Sequence, residues 1–213
     1  MTAIWGPLGW MTLHSIATCY PELPTQSEKE LMYSWLDMFR DTITCPHCRE
    51  HFAGMLQTYR SSFPSMLNSR QEFSMFTFRA HNAVNRRLRK PIQATLEECM
   101  TTLQNNVKTR SAVDYRVSYL NHIQRYWKSW QDVTGIVALK KIAEMRKIEL
   151  TYVQPRDTNF NLTLTSDVVV LPQDSLEPRE GPVEPRRAGV VLPKGQVGVR
   201  AGFRITPGGI RLR

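Results

Sequence analysis

The stretch Thr44-Cys45-Pro46-His47-Cys48-Arg49 sets two thiols three residues apart, directly after an amphipathic segment. Taken alone, a C-x-x-C fits half of a zinc site, a disulfide-exchanging dithiol, or chance. Zinc would need two more thiolates or imidazoles converging on the pair. Cys19 and Cys99 are isolated, and His14, His47, His51, His81 and His122 follow no standard ligand spacing, so no metal site is expected. A dithiol fits better: a substrate thiolate attacks one sulfur and the other leaves with the bonding pair. The flanks then decide the fold. A thioredoxin-like domain would put the pair after a strand in a βαβ unit, whereas both flanks here read as helices.

Upstream, Ser27 is the expected helix cap with Glu30 in the capping-box position. Leu31, Trp35, Met38, Phe39 and Thr42 then align on one face as far as Thr42. An earlier helix over 8–18 follows Gly6-Pro7 and is stopped by Pro21 and Pro24, with Trp10, Leu13, His14 and Ala17 on one face. Downstream, His51, Phe52, Met55, Leu56 and Tyr59 continue a third helix whose first turn holds the cysteines. Its exposed amides favour a thiolate. The strongest periodicity is over 70–88, through Phe73, Phe76, Ala80, Val84 and Leu88, with Pro91 ending it. Residues 94–108 give another helix, through Leu96, Met100, Leu103 and Val107.

Short amphipathic helices with brief connections predict an all-α fold, a four-helix bundle over residues 1–110. A C-terminal extension follows whose fold the sequence leaves open. Residues 111–155 read as helical, in segments 112–130 and 136–150. Residues 156–213 read as an extended or β-containing basic tail, partly disordered, because Phe160, Leu162 and Leu164 alternate before Val168-Val169-Val170-Leu171. Pro, Gly and Arg then recur to the end.

Composition bounds the function. The 213 residues, 41% of them hydrophobic, suffice for one domain and an appendage. Four cysteines are too few for a disulfide-dense secreted scaffold. Met1-Thr2-Ala3-Ile4-Trp5 has neither the basic start nor the apolar run of a signal peptide, and no stretch is long enough to span a bilayer. A cytosolic protein is expected. The net charge of +9 is spread out, apart from Arg86-Arg87-Leu88-Arg89-Lys90. That permits a polyanionic partner, so the competing class is a non-enzymatic helical module with a basic tail binding nucleic acid or virion proteins.

A second polar constellation lies on the 70–88 helix. His81 and Asn85 share one face and Asn82 is adjacent, so an apolar helix presents clustered donors and acceptors. Such a cluster suits a planar heteroaromatic ring with N–H and C=O edges. Lys90 and the Arg86/Arg87 pair stand one to two turns on, where phosphates could be neutralised. Trp10 and His14 add a stacking plane and a ring donor. The competing readings are a capped helix end and ordinary core packing. A bound organic redox cofactor would supply the electron acceptor that the dithiol needs.

Together these residues resemble the Erv/ALR family of FAD-dependent sulfhydryl oxidases. The resemblance rests on Trp5-Gly6-Pro7-Leu8-Gly9-Trp10 and on Leu13, His14, Ala17, Tyr20 and Pro21. It continues through Cys45-Pro46-His47-Cys48-Arg49, His51 and Phe52, then His81, Asn82, Val84, Asn85, Leu88, Lys90 and Pro91. It implies a bundle, usually homodimeric, that grips FAD at one end. Trp10, His14 and Tyr20 would line the flavin or adenine environment. His81, Asn82 and Asn85 would contact adenine, ribose or flavin, with Lys90 on the phosphate side. Cys48 would be the flavin-proximal sulfur and Cys45 the one attacked. The implied reaction turns two protein thiols into a disulfide and passes the electrons through FAD to dioxygen, giving hydrogen peroxide.

Two departures from the family stand out. Residues 100–213 hold no cysteine, so a protein dithiol substrate or a small thiol oxidoreductase must reach Cys45 directly. The tryptophan that many relatives carry soon after Lys-Pro is also missing, the nearest being Trp127 and Trp130. The opening and the lack of targeting signals look most like members encoded by large DNA viruses, which work in the host cytoplasm on virion proteins. The extension would then mediate dimerisation or hold a substrate.

Overall fold

The computed structural model describes residues 2–160, which form seven α-helices and no strand. They are α1 (Thr2–Cys19), α2 (Gln26–Thr42), α3 (Pro46–Ser62), α4 (Arg70–Arg87), α5 (Leu96–Thr109), α6 (Ala112–Lys128) and α7 (Val133–Ile148). A π-helical turn, Glu149–Val153, prolongs α7. The all-α expectation holds for these residues. The β-branched run 162–171 and the basic tail lie outside the described residues.

The central element is α1, packed between α4 and α6, while α7 packs on both α6 and α2. This explains a difference from the sequence reading. One apolar face was expected for α1, yet every residue from Met11 to Tyr20 is buried, because helices cover it on two sides. Its small polar residues tolerate this by bonding within the helix. Ser15 Oγ donates to the Thr12 carbonyl at 3.0 Å and Thr18 Oγ1 to the Ser15 carbonyl at 2.8 Å. The helix also starts at Thr2, with Pro7 inside it, rather than after Gly6-Pro7. Trp5, packed on the core, anchors the added turn.

The start of α2 is a second difference. Both T-x-x-E (25–28) and S-x-x-E (27–30) satisfy the capping-box pattern, and the chain uses the first. Thr25 Oγ1 accepts from the Glu28 N–H at 3.3 Å, and the Glu28 carboxylate accepts from the Thr25 N–H at 2.9 Å. The physical reason lies in the extension. Tyr152 Oη and Arg156 Nη2 both donate to Glu28, at 3.1 and 3.0 Å. Similarly, α7 starts three residues before the expected 136, because the Asp132 side chain caps it, accepting from the Gly135 N–H at 2.8 Å.

The main core joins Leu13, Ile16, Trp35, Leu36, Phe39, Met55, Phe73 and Phe76 to Tyr119, Ile123, Ile142 and Met145 of α6 and α7. The extension therefore shares its core with the first three helices and α4. A smaller cluster of Met11, Met75, Phe78, Leu96, Cys99, Met100 and Leu103 seats α5. One buried ion pair crosses the molecule. The Arg116 guanidinium donates through Nε to both Glu149 carboxylate oxygens, at 2.9 and 2.8 Å, and through Nη1 to Ser15 Oγ at 3.4 Å. Burial pushes the Glu149 carboxyl above its usual range while Arg116 pulls it back.

Candidate active site

The C-x-x-C folds into a helix N-terminus. Cys45 is the N-cap of α3, its Sγ accepting from the Cys48 N–H at 3.3 Å, and Pro46 opens the first turn, where its missing N–H costs nothing. A disulfide joins Cys45 and Cys48, whose Cα atoms are 5.2 Å apart. Both cysteines are half-buried, with Pro46 and His47 exposed between them. The Arg87 guanidinium donates to His47 Nε2 at 3.2 Å and ties this turn to the end of α4. The free amides of the α3 terminus favour negative charge on these sulfurs.

Cys48 lines a cleft of about 810 Å³, within the range of ~300–1,000 Å³ usual for small-molecule sites. Cys45 lies outside the lining. The walls come from α1 (Trp5, Trp10, His14), α3 (His51, Phe52), α4 (His81, Asn85, Arg87), the following turn (Lys90, Pro91) and α5 (Leu103, Asn106). The Trp10 and His81 rings stack, with centroids 4.3 Å apart and 10° between planes. His14 Nε2 and His81 Nδ1 lie 3.1 Å apart, so one ring donates to the other.

Electrostatics keep that pair neutral. Burial, and then the neighbouring His81, hold His14 well below the ordinary histidine range. Burial, and then Lys90, lower His81 to about 4. The His14 Nδ1 and Trp5 Nε1 atoms are buried without a partner, as is Arg87 Nε. Leaving such groups unpaired costs roughly 1–3 kcal/mol each. All three residues line the cleft, and with Trp10 and His81 as ring surfaces and Arg87 and Lys90 as cations its walls suit a planar aromatic ligand carrying negative charge, which fits FAD.

The other site candidates separate clearly. Trp10, His14, His81, Asn85, Lys90 and Cys48 meet on the cleft. Tyr20 does not. It is buried in the core, its hydroxyl donating to the Leu67 carbonyl at 3.0 Å and its ring edge-on to Phe73. Asn82 is also absent from the lining: its amide clamps the Gln93 backbone, donating to the carbonyl at 2.8 Å and accepting from the N–H at 3.1 Å. That clamp shapes the 88–95 turn. Asn85 Nδ2 donates to the Pro91 carbonyl at 3.2 Å.

Lys90 owes its position to the end of α4. The Lys90 N–H bonds the Asn85 carbonyl at 2.8 Å and the Arg89 N–H bonds the Arg86 carbonyl at 2.9 Å. This is a Schellman motif, and it puts Arg89 at φ 54° where glycine usually stands. The cleft also takes in Arg87, read from the sequence as one of a phosphate-neutralising pair, and Trp5, His51 and Phe52, which carried the resemblance without an assigned role. The spacing of His51 from Cys48, three residues along one helix, was the available signal. No group of three or more His, Cys, Asp or Glu able to hold a metal ion is found among the described residues, and no helix among them is long and apolar enough to cross a membrane.

The Erv1/Alr family model matches residues 8–110, the span that builds the cleft and the dithiol. An FAD-linked sulfhydryl oxidase of African swine fever virus (isolate Tick/Malawi/Lil 20-1/1983) is 36% identical over 88 residues. The match spans 41% of this chain and 71% of the relative. The chain belongs to the Erv1/Alr family. Among its relatives, the mitochondrial FAD-linked sulfhydryl oxidase of Saccharomyces cerevisiae is 35% identical over 86 residues, 40% of this chain and 43% of the yeast protein. A probable FAD-linked sulfhydryl oxidase of Acanthamoeba polyphaga mimivirus is 28% identical over 138 residues, 65% of this chain and 95% of that protein. The last alignment is longer than the family match, so this Erv1/Alr member shares more than the bundle with it. No solved structure matches.

Proposed function

We propose that this Erv1/Alr protein is an FAD-linked sulfhydryl oxidase that makes disulfides in protein substrates. One observation carries the reading: the Cys45–Cys48 disulfide stands at a helix N-terminus with Cys48, and not Cys45, on an aromatic cleft holding unpartnered polar atoms. The names of the viral and yeast relatives support the same activity and cofactor.

In this reading a substrate thiolate attacks Cys45 Sγ. The Cys45–Cys48 bond breaks, and Cys48 leaves as a thiolate favoured by the first-turn amides of α3. A second substrate thiol then attacks the substrate sulfur of the mixed disulfide, and Cys45 leaves as a thiolate, releasing the oxidised substrate and leaving the pair reduced by two electrons. Trp5, Trp10 and His81 would line the cofactor rings. His14 would offer its buried Nδ1, and Arg87 and Lys90 would neutralise the phosphates. Bound FAD would supply the two-electron acceptor chemistry that side chains lack, with dioxygen as the final oxidant and hydrogen peroxide as its product. The neutral His14–His81 pair keeps cationic charge away from the ring edges at neutral pH.

The proposal includes a homodimer working in a host cytoplasm on virion-protein dithiols or through a small thiol oxidoreductase. Purified protein should be yellow and should consume oxygen with dithiothreitol. A folded, colourless sample that neither retains nor accepts FAD would remove the oxidase reading. Sedimentation velocity at micromolar concentration tests the dimer, which a single monomer boundary would exclude.

A further inference from the structure

The extension reaches the dithiol through one side chain. Trp127, near the end of α6, is buried, and its indole N–H donates to the Thr42 carbonyl at 2.9 Å. Thr42 is the last residue of α2, so this carbonyl is among the four that the helix itself leaves unpaired. Cys45 follows three residues later. The same indole faces the other side of the redox pair: the Arg49 guanidinium lies 5.8 Å from its ring centroid. Arg49 also donates through Nη1 to the Ile43 carbonyl at 3.4 Å, and its own N–H bonds the Cys45 carbonyl at 2.9 Å. Trp127 thus touches both segments that flank the cysteines. Tyr126 and Trp130 contact its ring at 5.2 and 5.5 Å between centroids and fix its plane. Around the same end of α2, Tyr119 stacks on Phe39 at 5.3 Å and Met145 Sδ accepts from Thr42 Oγ1 at 3.8 Å.

We infer that Trp127 is a positioning residue for the Cys45–Cys48 pair: it fixes the end of α2 and holds the Arg49 charge beside the first turn of α3. The residue lies outside the span matched by the family model. A held cation within one turn of both sulfurs stabilises the thiolate and therefore the reduced pair, which makes the disulfide more oxidising. Released from the indole, Arg49 turns into water and that stabilisation is screened.

The test is the redox equilibrium of the pair in the full-length holoprotein, held with oxygen excluded in glutathione buffers and read by mass after acid quench and alkylation. In each cycle the Cys45–Cys48 disulfide takes two electrons and two protons from two glutathione thiols, which couple to one glutathione disulfide. Trp127→Leu, which removes donor and ring, should shift the equilibrium about tenfold toward the protein disulfide, ~30 mV more reducing for a two-electron couple. Trp127→Phe keeps the ring and should shift it about threefold. Should the Leu variant fail to fold, the Phe variant and Arg49→Gln carry the test. Arg49→Gln should shift the equilibrium the same way, and adding Trp127→Leu to it should shift it little further. Wild-type constants in the folded variants, or full additivity of the two changes, would overturn the inference. It rests on the oxidase reading only in taking the pair as redox-active. A pair that no glutathione ratio reduces would sink that reading, whereas a pair cycling identically in wild type and variants sinks this one.

Discussion

The bundle and the extension treat buried polar atoms in opposite ways. Around the cleft of α1, α3 and α4, the atoms Trp5 Nε1, His14 Nδ1 and Arg87 Nε are buried and unpartnered. In α6 and the π turn, Arg116 is paired with Glu149 and Ser15, and Trp127 with Thr42. The Tyr119 hydroxyl is the exception there. Unpaired groups cost stability. Paired ones tie helices together. The bundle carries the chemistry, and the extension braces it.

The largest expected effect separates those two roles. Cys48→Ser should lower oxygen consumption with dithiothreitol by more than ~1,000-fold, since without Cys48 there is no Cys45–Cys48 disulfide to take the substrate's electrons. The melting temperature should change little. Residual turnover near wild type would move the chemistry elsewhere. The reverse pattern is expected in the extension. Arg116→Met strands the Glu149 carboxyl in the core and should cost about 3–5 kcal/mol in chemical denaturation. Replacing both partners, Arg116→Met with Glu149→Leu, should recover most of that loss. If the single change is mild, the extension is not the brace described above.

Much of this division was legible in the sequence. Helix periodicity gave α2 to α5 nearly to their ends, and Trp10, His14, His81, Asn85 and Cys48 do share the cleft. What the sequence concealed came from the extension and from backbone demands. The α2 cap moved two residues because Tyr152 and Arg156, more than 120 positions away, bind Glu28. Tyr20 sits near the cleft residues in sequence, but lies at the end of α1 where it bonds Leu67. Asn82 matches the motif, yet its amide is spent on Gln93. A helical wheel distinguishes faces, not which backbone groups a side chain must satisfy.

Two smaller effects sharpen the contrast further. His14 and His81 are both depressed by burial, so the folded state binds fewer protons than the unfolded one below the ordinary histidine range. Their contribution is complete above pH ~6.5 and is lost as pH falls toward 4, on the order of 3 kcal/mol for His81. Melting of the FAD-free protein against pH should therefore drop across that window, and His81→Phe should flatten the drop. An unchanged slope in the variant would show that the histidine pair is not responsible. The smallest change goes the other way. Arg89→Gly removes an arginine from φ 54° and should stabilise the protein by about 1 kcal/mol, read from the melting temperature.

The two remaining cysteines have a practical meaning. Cys19 and Cys99 are buried and free, and burial pushes their thiols up to about 11 and about 12. At neutral pH neither offers a thiolate to an alkylating reagent. With four cysteines in the chain, the native protein should take up no label when oxidised, two after mild reduction and four only once unfolded. The label count then reports directly how many electrons the Cys45–Cys48 pair holds.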